Sequence, residues 1–417
     1  MKILFYGINY TPELTGIGKY TGEISTWLAP KGHQVEIITA MPYYPKWKIT
    51  TKYRKKWWFT EGINGVKVHR TPFYVPKKVT GKSRILHEFS FLLGSQIHWL
   101  KMLFRKPDVI IAICPPFHTG FAALLYGKLW NIPVIYHIQD LQVDAAKDLG
   151  IIKNRKLLNL LVKLESWILK RCRLVSTISE GMVKKILAKG IEKEKVLLFP
   201  NWVDTSFIQP LPKSASLRKA WGFKEADKIV LYSGNLGEKQ GLELLIEVAK
   251  QFQVQKDIHF LIVGEGGTKQ RLIDLSEQDK LKNIHFYPLQ PYEKLSALLA
   301  TADLHLVLQK RAAADLVLPS KLTSILSVGG VAIVTASAGS TLHEVVDKYE
   351  MGILVEPEFI PSLVDGIKKG LTTDTTQISK NARKYAQTFL AKDAILSKFE
   401  QDLKTIISTP KLKYSKA

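Results

Sequence analysis

The chain has 417 residues, with 60 Lys and Arg against 37 Asp and Glu and a formal net charge of +23. That length exceeds one hydrophobic core and predicts about two domains, while the basic excess favours an anionic partner: nucleic acid, an acidic membrane surface or a phosphorylated substrate. Cys114 and Cys172 are the only cysteines and lack zinc-ligand spacing, so they are expected as buried free thiols in a reducing compartment.

No run of about 18 apolar residues is present, so nothing is expected to span a bilayer. The N-terminal apolar run is too short for a secretory h-region and is followed by polar Asn9 and Glu13. The expected location is therefore cytoplasmic.

Residues 2–6 (KILFY) read as a buried strand. Residues 10–20 follow, YTPELTGIGKY, leading into a helical pattern from 20 to 28. A strand, a loop bearing Gly16 and Gly18, and a helix N-terminus form a common meeting point for phosphate or sugar and backbone N–H groups. The same pattern also serves a plain strand–helix turn. Further strands are expected at 34–39, 66–70, 108–113, 134–138 and 174–178, alternating with helices at 118–131, 154–171 and 181–188. Val- and Ile-rich strands separated by helices predict a parallel sheet covered on both faces.

Residues 46–59, KWKITTKYRKKWWF, do not read as part of that sheet. Basic residues including Lys55 and Lys56 interleave with Trp47, Trp57 and Trp58. Residues 85–105 form a helical pattern with Leu86, Phe89, Leu92, Leu93, Ile97, Leu100 and Phe104, bounded by Lys77, Lys78, Lys82 and Arg84 on one side and Arg105 and Lys106 on the other. Basic plus aromatic residues suit the headgroup layer of an anionic membrane. The alternatives are a helix packed on its domain with solvated lysines, and a nucleic-acid surface, which no binding motif accompanies.

A turn at PNWVD (200–204) and a Pro- and Ser-bearing stretch from 205 to 217 read as a joint. The expected domains are 1–204 and 205–384, with a C-terminal helix at about 385–417 packing back on the first. From residue 228 the α/β alternation restarts. A strand at 229–233 runs into the glycine-punctuated loop 234–241, and a second glycine stretch, GEGG, stands at 264–267. Pro319-Ser320-Lys321 opens a helix, and another begins near 341. Two parallel α/β domains facing across a cleft would each offer a ligand site at the carboxyl ends of the strands.

No nucleophile elbow, H-E-x-x-H or Walker sequence is present, and GEGG does not match G-x-G-x-x-G. Glycine loops and lysines remain. They suit a nucleotide-activated substrate whose diphosphate is the leaving group. Lys321 is hard to explain otherwise, because a helix start disfavours a cation. Asp140 ends a strand or caps the next helix; His118 is a ligand or a helix-start histidine; His137 reads as a core residue.

The chain resembles a family 4 glycosyltransferase of GT-B architecture, over nearly its whole length. Within that family it is similar to colanic-acid-type fucosyltransferases and acetamidosugar transferases of bacterial polysaccharide assembly. The resemblance rests on YGINYTPELTGIGKYTGE (6–23), MPYYPKW (41–47), HIQDLQVDA (137–145), ISEGM (178–182), NWVD (201–204), YSGNLGEKQGLE (232–243), LPSKLTSIL (318–326) and GILVEPE (352–358), in that order. It implies retaining transfer of a hexose-type residue from a nucleotide sugar, UDP- or GDP-linked, to a lipid-diphosphate-linked or polysaccharide-precursor acceptor. No metal or cofactor is expected, and the residues above add an anionic membrane surface and no nucleic acid as the expected partners. By the same resemblance Gly16, Gly18, Gly234, Asn235, Lys239, Ser320, Lys321, Ser324 and Glu344 would serve the donor, with Ser320 capping the Lys321 helix. Gln139, Asp140 and His118 would serve catalysis, and Trp47, Trp57, Trp58, Lys55 and Lys56 the membrane or acceptor. The chain also departs from the family pattern. Asn235 and Gln240 replace Arg and Lys, Gln139 replaces histidine, Ser324 replaces the second of two glutamates, and Asp315 lies near the first. An epimerase or phosphorylase of similar architecture, or a membrane-surface protein that has lost activity, are the competing readings.

Overall fold

The computed structural model describes residues 1–13, 16–148, 154–311 and 318–408. Asp315 lies outside the described residues. The chain divides into two compact units: Met1–Pro200 together with the chain from Leu396, and Asn201–Ile395.

The first unit runs β1 (Lys2–Tyr6), α1 (Gly16–Leu28), β2 (Gln34–Ala40), β3 (Phe59–Ile63), β4 (Val66–Thr71), α2 (Gly81–Met102) and β5 (Val109–Cys114). It continues through α3 (Thr119–Trp130), β6 (Val134–Ile138), α4 (Gln142–Asp148), α5 (Arg155–Arg171), β7 (Leu174–Thr177), α6 (Glu180–Ala188) and β8 (Val196–Leu198). The sheet order is β3-β4-β2-β1-β5-β6-β7-β8. The pairs from β4 through β8 are parallel, which places helices on the faces and makes the central strands apolar throughout. All six residues of β5, VIIAIC, are buried.

Three features depart from the sequence reading. α1 begins at Gly16, so Gly16 and Gly18 are helical residues rather than a loop before a helix at 20. β3 starts at Phe59 and pairs antiparallel with β4. Its hairpin is closed by Asn64-Gly65, both with positive φ, the pairing that matches strand twist. Leu198 ends an additional strand, β8. Cys114 and Cys172 are buried free thiols.

From Leu396 the last helix packs on this unit. Phe399 stacks on Phe199 at 3.9 Å, and Glu400 meets His33 at 3.0 Å.

The second unit comprises β9 (Lys228–Ser233), α7 (Glu243–Gln251), β10 (Ile258–Val263), α8 (Lys269–Gln278), β11 (Ile284–Tyr287), α9 (Leu295–Leu299) and β12 (Leu304–Val307). Then follow α10 (Ser320–Ser327), β13 (Ala332–Thr335), α11 (Thr341–Lys348), β14 (Ile353–Val355), α12 (Ile360–Thr372) and α13 (Thr376–Tyr385), while α14 (Lys392–Ser408) starts in this unit and belongs to the first from Leu396. Its parallel sheet has the order β11-β10-β9-β12-β13-β14. The chain leaves β9 toward β10 and later returns to its other side with β12. The carboxyl ends of β9 and β12 therefore flank a topological switch point, where such sheets bind ligands. No helix among the described residues is long and apolar enough to cross a membrane.

Candidate active site

In the second unit, Lys321 and Gly234 come together at the switch point. Lys321 is the second residue of α10, and its Nζ lies 3.3 Å from where a Cβ on Gly234 would stand. The ammonium is buried and has no hydrogen-bond partner among the described residues. Its neighbour is the Tyr232 ring, 3.8 Å from Nζ to the centroid. Burial pushes the lysine down from 10.5 to about 7. An unpartnered buried cation at a helix N-terminus is unfavourable by itself, since desolvation and the helix dipole both oppose the charge.

The loops around it are held backbone to backbone. Leu236 N–H donates to Glu265 O at 2.9 Å, and Thr268 N–H to Leu236 O at 3.1 Å. Cβ atoms on Gly264 and Gly266 would fall 1.9 Å from Gly234 O and 2.1 Å from Leu236 O. These glycines are needed for that close approach. Gln240 closes its own loop, accepting from Gly237 N–H at 3.2 Å. Asn235 and Lys239 are exposed on the same loop. A cavity of about 160 Å³ opens beside it, lined by Gln240, Gly241, Leu308, Lys310, Thr335 and Glu358.

Ser320 does not cap α10: it is the first helical residue after Pro319, and no side chain caps this end. The reason is positional, because a capping oxygen must come from the residue preceding the first helical one. Ser324 sits half-buried one turn beyond Lys321, and Glu344 stands exposed in the first turn of α11.

In the first unit, Gly16 has φ of +62°, a conformation that favours glycine, and is exposed at the start of α1. Gly18 is buried, and a Cβ there would lie 2.7 Å from Glu13 Oε2. The Glu13 carboxylate accepts from the N–H groups of Tyr43 and Tyr44 at 3.0 Å each and from Asn9 Nδ2 at 2.9 Å. Burial raises its pKa, and these hydrogen bonds oppose the rise. Arg70, fully buried, holds the same stretch through Thr11 O at 2.6 Å and is paired with Glu61 at 2.8 Å. Gly18 therefore serves packing around Glu13. Neither Glu13 nor Arg70 is singled out by the sequence reading; a lone acid within an otherwise neutral loop is the only signal for Glu13.

His118, Gln139 and Asp140 lie at the carboxyl ends of the adjacent strands β5 and β6. His118 is buried at the start of α3, and neither ring nitrogen makes a well-formed hydrogen bond among the described residues. Burial lowers its pKa to about 4, so the ring is neutral. Gln139 Nε2 lies 2.9 Å from His137 Nε2, and His137 Nδ1 lies 2.9 Å from Ser176 Oγ. His137, held down to about 3 by burial, is a satisfied core residue, and Gln139 is one of its partners. Asp140 is exposed next to it.

Gln142 ties these loops to α2. Its Oε1 accepts from Phe117 N–H at 2.9 Å, and its Nε2 donates to Glu88 at 2.9 and 3.0 Å. Burial raises the Glu88 carboxyl. Glu88 is the single acid of α2, which is the one sequence signal that could have drawn notice.

The basic aromatic stretch divides. Trp47 is half-buried against His87, at 5.0 Å between centroids. Trp58 Nε1 donates to Gly94 O of α2 at 2.7 Å. Trp57 is exposed and stacks on Trp58, and Lys55 and Lys56 are exposed beside them. Replacing Trp58 with Phe should remove this hydrogen bond and lower stability by about 1 kcal/mol in denaturant titration. Among the described residues, no group of three or more His, Cys, Asp or Glu side chains is spaced to hold a metal ion.

Comparison with known proteins gives this arrangement a context. Residues 15–202 match the family described as Glycosyl transferase 4-like domain, and residues 213–388 match Glycosyl transferases group 1. The protein named as the colanic acid biosynthesis glycosyl transferase WcaI of Escherichia coli K12 is 42% identical over 97% of this chain and 100% of its own. Among solved structures, the sucrose-phosphate synthase of Thermosynechococcus elongatus superposes with a TM-score of 0.76 at 16% identity, covering 97% of this chain and 98% of that one. Anabaena HepE in complex with UDP-glucose gives 0.69 at 15% identity, covering 97% and 100%. With both domain families matched and a relative this similar along its full length, the chain belongs to the group 1, family 4-like glycosyltransferases and has the GT-B fold.

Proposed function

We propose that this enzyme transfers a sugar, with retention of configuration, from a UDP- or GDP-sugar to a lipid-diphosphate-linked acceptor in cell-surface polysaccharide synthesis. The acceptor would lie on the cytoplasmic side of an anionic membrane. The observation that carries the donor half is the buried, unpartnered Lys321 ammonium beside Gly234. A diphosphate is the ligand that would supply its missing partner. The relative named for colanic acid biosynthesis and the HepE complex with UDP-glucose support the polysaccharide and nucleotide-sugar assignments.

In this reading the bond from the anomeric carbon to the diphosphate oxygen breaks as the acceptor oxygen bonds the same face of that carbon. The acceptor proton passes to the departing diphosphate. Lys321 and the N-terminal end of α10 neutralise the charge that develops. Gly234, Asn235, Lys239, Ser320, Ser324 and Glu344 surround the donor. Gly16 offers its backbone to the acceptor. Neutral His118, with Gln139 and Asp140, orients the acceptor hydroxyl and needs no charge for that task.

A thermal-shift screen with UDP- and GDP-sugars tests the donor. A rise in melting temperature with one of them is expected, followed by transfer to a lipid-diphosphate acceptor with the configuration read by NMR. Absence of any donor shift, or an inverted product, would refute the assignment.

A further inference from the structure

α2 presents its apolar stripe to the outside. Its buried face already carries Phe91, Trp99 and Met102 together with His87, Ser95 and His98, and each of these three polar side chains finds a partner there: Tyr74 O at 2.6 Å, Tyr6 Oη at 2.8 Å and Arg70 O at 2.9 Å. The opposite stripe consists of Leu86, Phe89, Leu93, Ile97 and Leu100 and continues to Phe104, at steps of three and four residues. All six are exposed, from 37% at Ile97 to 92% at Phe104. Leu125 and Leu129 of neighbouring α3 are 73% and 64% exposed. Of the 23 large apolar side chains exposed among the described residues, 17 belong to the first unit, so the patch is local rather than a general property of the surface.

Charge indicates what covers it. Lys77, Lys78, Lys82 and Arg84 stand exposed before and at the start of α2, and Lys101, Arg105 and Lys106 at its end. Glu88, the only acid in the helix, is largely buried and bonds both Gln142 at 2.9 Å and Arg84 at 3.2 Å, and Arg105 meets Glu36 at 3.4 Å, so the lysines are the main cations of the two ends. An apolar stripe with cationic ends and no exposed acid fits an anionic bilayer interface, where leucines enter the acyl boundary and lysines meet headgroups. Exposed Trp57 stacks on Trp58, which is tied to the Gly94 carbonyl of the same helix. At its upper end, Phe89 lies 6.3 Å from the His118 ring, centroid to centroid.

We propose that the outward stripe of α2, continued by α3, is the lipid seat of this enzyme. It lies in the interfacial layer of an anionic membrane, and the apolar tail of the acceptor runs along it toward Phe89 and His118. This rests on the reading of the acceptor as lipid-linked. It moves the main membrane contact from the tryptophan loop to α2.

The test is flotation of the full chain with phosphatidylcholine vesicles containing or lacking phosphatidylglycerol, for the wild type and a Leu93→Glu/Leu100→Glu variant. Both leucines are 62% exposed, so the fold should tolerate the change. The wild type is expected to float with the anionic vesicles and the variant to bind roughly tenfold less or weaker still, with unchanged melting temperature and donor thermal shift. Equal flotation of the two proteins, or no flotation of the wild type, overturns the proposal. So does a wild-type dimer in sedimentation that the variant converts to monomer, since the stripe would then cover a second copy. Loss of the donor shift in both proteins would instead strike the donor assignment and leave the flotation result standing.

Discussion

Lys321→Met should abolish transfer and at the same time make the protein more stable. Methionine keeps the volume and apolar stem of lysine while removing the buried charge over Tyr232. In the folded state the lysine titrates at about 7 instead of 10.5, because burial disfavours its charged form. The unfolded chain therefore holds a proton that the folded chain has lost between those values. The sign follows: wild-type stability rises with pH from about 7 to 10.5 through this group, and the full penalty is present below 7. At about 1.4 kcal/mol per pH unit, less about 2 kcal/mol for the ammonium over a ring face, the variant gains roughly 3 kcal/mol near neutral pH and little above pH 10. Equilibrium denaturation across that pH range measures it. A variant less stable than the wild type at pH 6 would show that the ammonium is already satisfied.

Donor binding carries a second signature of the same group. A diphosphate needs the charged lysine, which the empty site gives up above about pH 7. The apparent donor dissociation constant should therefore rise with pH above 7, by at most about tenfold per unit, and level off below 7. Lys321→Met should bind donor weakly at every pH and show no such slope. A pH slope that survives the substitution would assign it to another group.

Gly18→Val should unfold or strongly weaken the first unit. Its Cβ would lie 2.7 Å from Glu13 Oε2 and 2.9 Å from Glu13 Cβ. The carboxylate cannot give way cheaply, because it accepts three hydrogen bonds in a buried place. Breaking them leaves polar groups unpaired at about 1–3 kcal/mol each, so a loss near 3 kcal/mol is a minimum. The companion Gly18→Ala/Glu13→Ala separates packing from ligand approach. If Gly18 only makes room for Glu13, the pair should be less destabilised than the two single changes summed. Strict additivity in that cycle would mean that the two residues do not constrain one another.

The sequence by itself determined the architecture. Apolar runs such as VIIAIC at β5, separated by helical periods, admit little but a parallel sheet covered on both faces, and a second such series restarts at residue 228. Lys321 was legible for a physical reason, since a cation at a helix start contradicts the dipole unless something anionic visits. The Asn64-Gly65 pair between two strand-forming runs is likewise a local hairpin signal.

Only the tertiary structure decided which faces meet. Periodicity locates the stripe on α2 but not its direction, because Phe91, Trp99 and Met102 on one face and Leu93, Ile97 and Leu100 on the other make both faces apolar. Gly18 depends on a glutamate five residues away, two of whose hydrogen-bond donors, Tyr43 and Tyr44, lie some thirty residues further on. Glu88 and Gln142 meet across 54 positions. Contacts of that separation are created when the sheet forms and have no local sequence signature, which is why the strand ends were foreseen and their supporting residues were not.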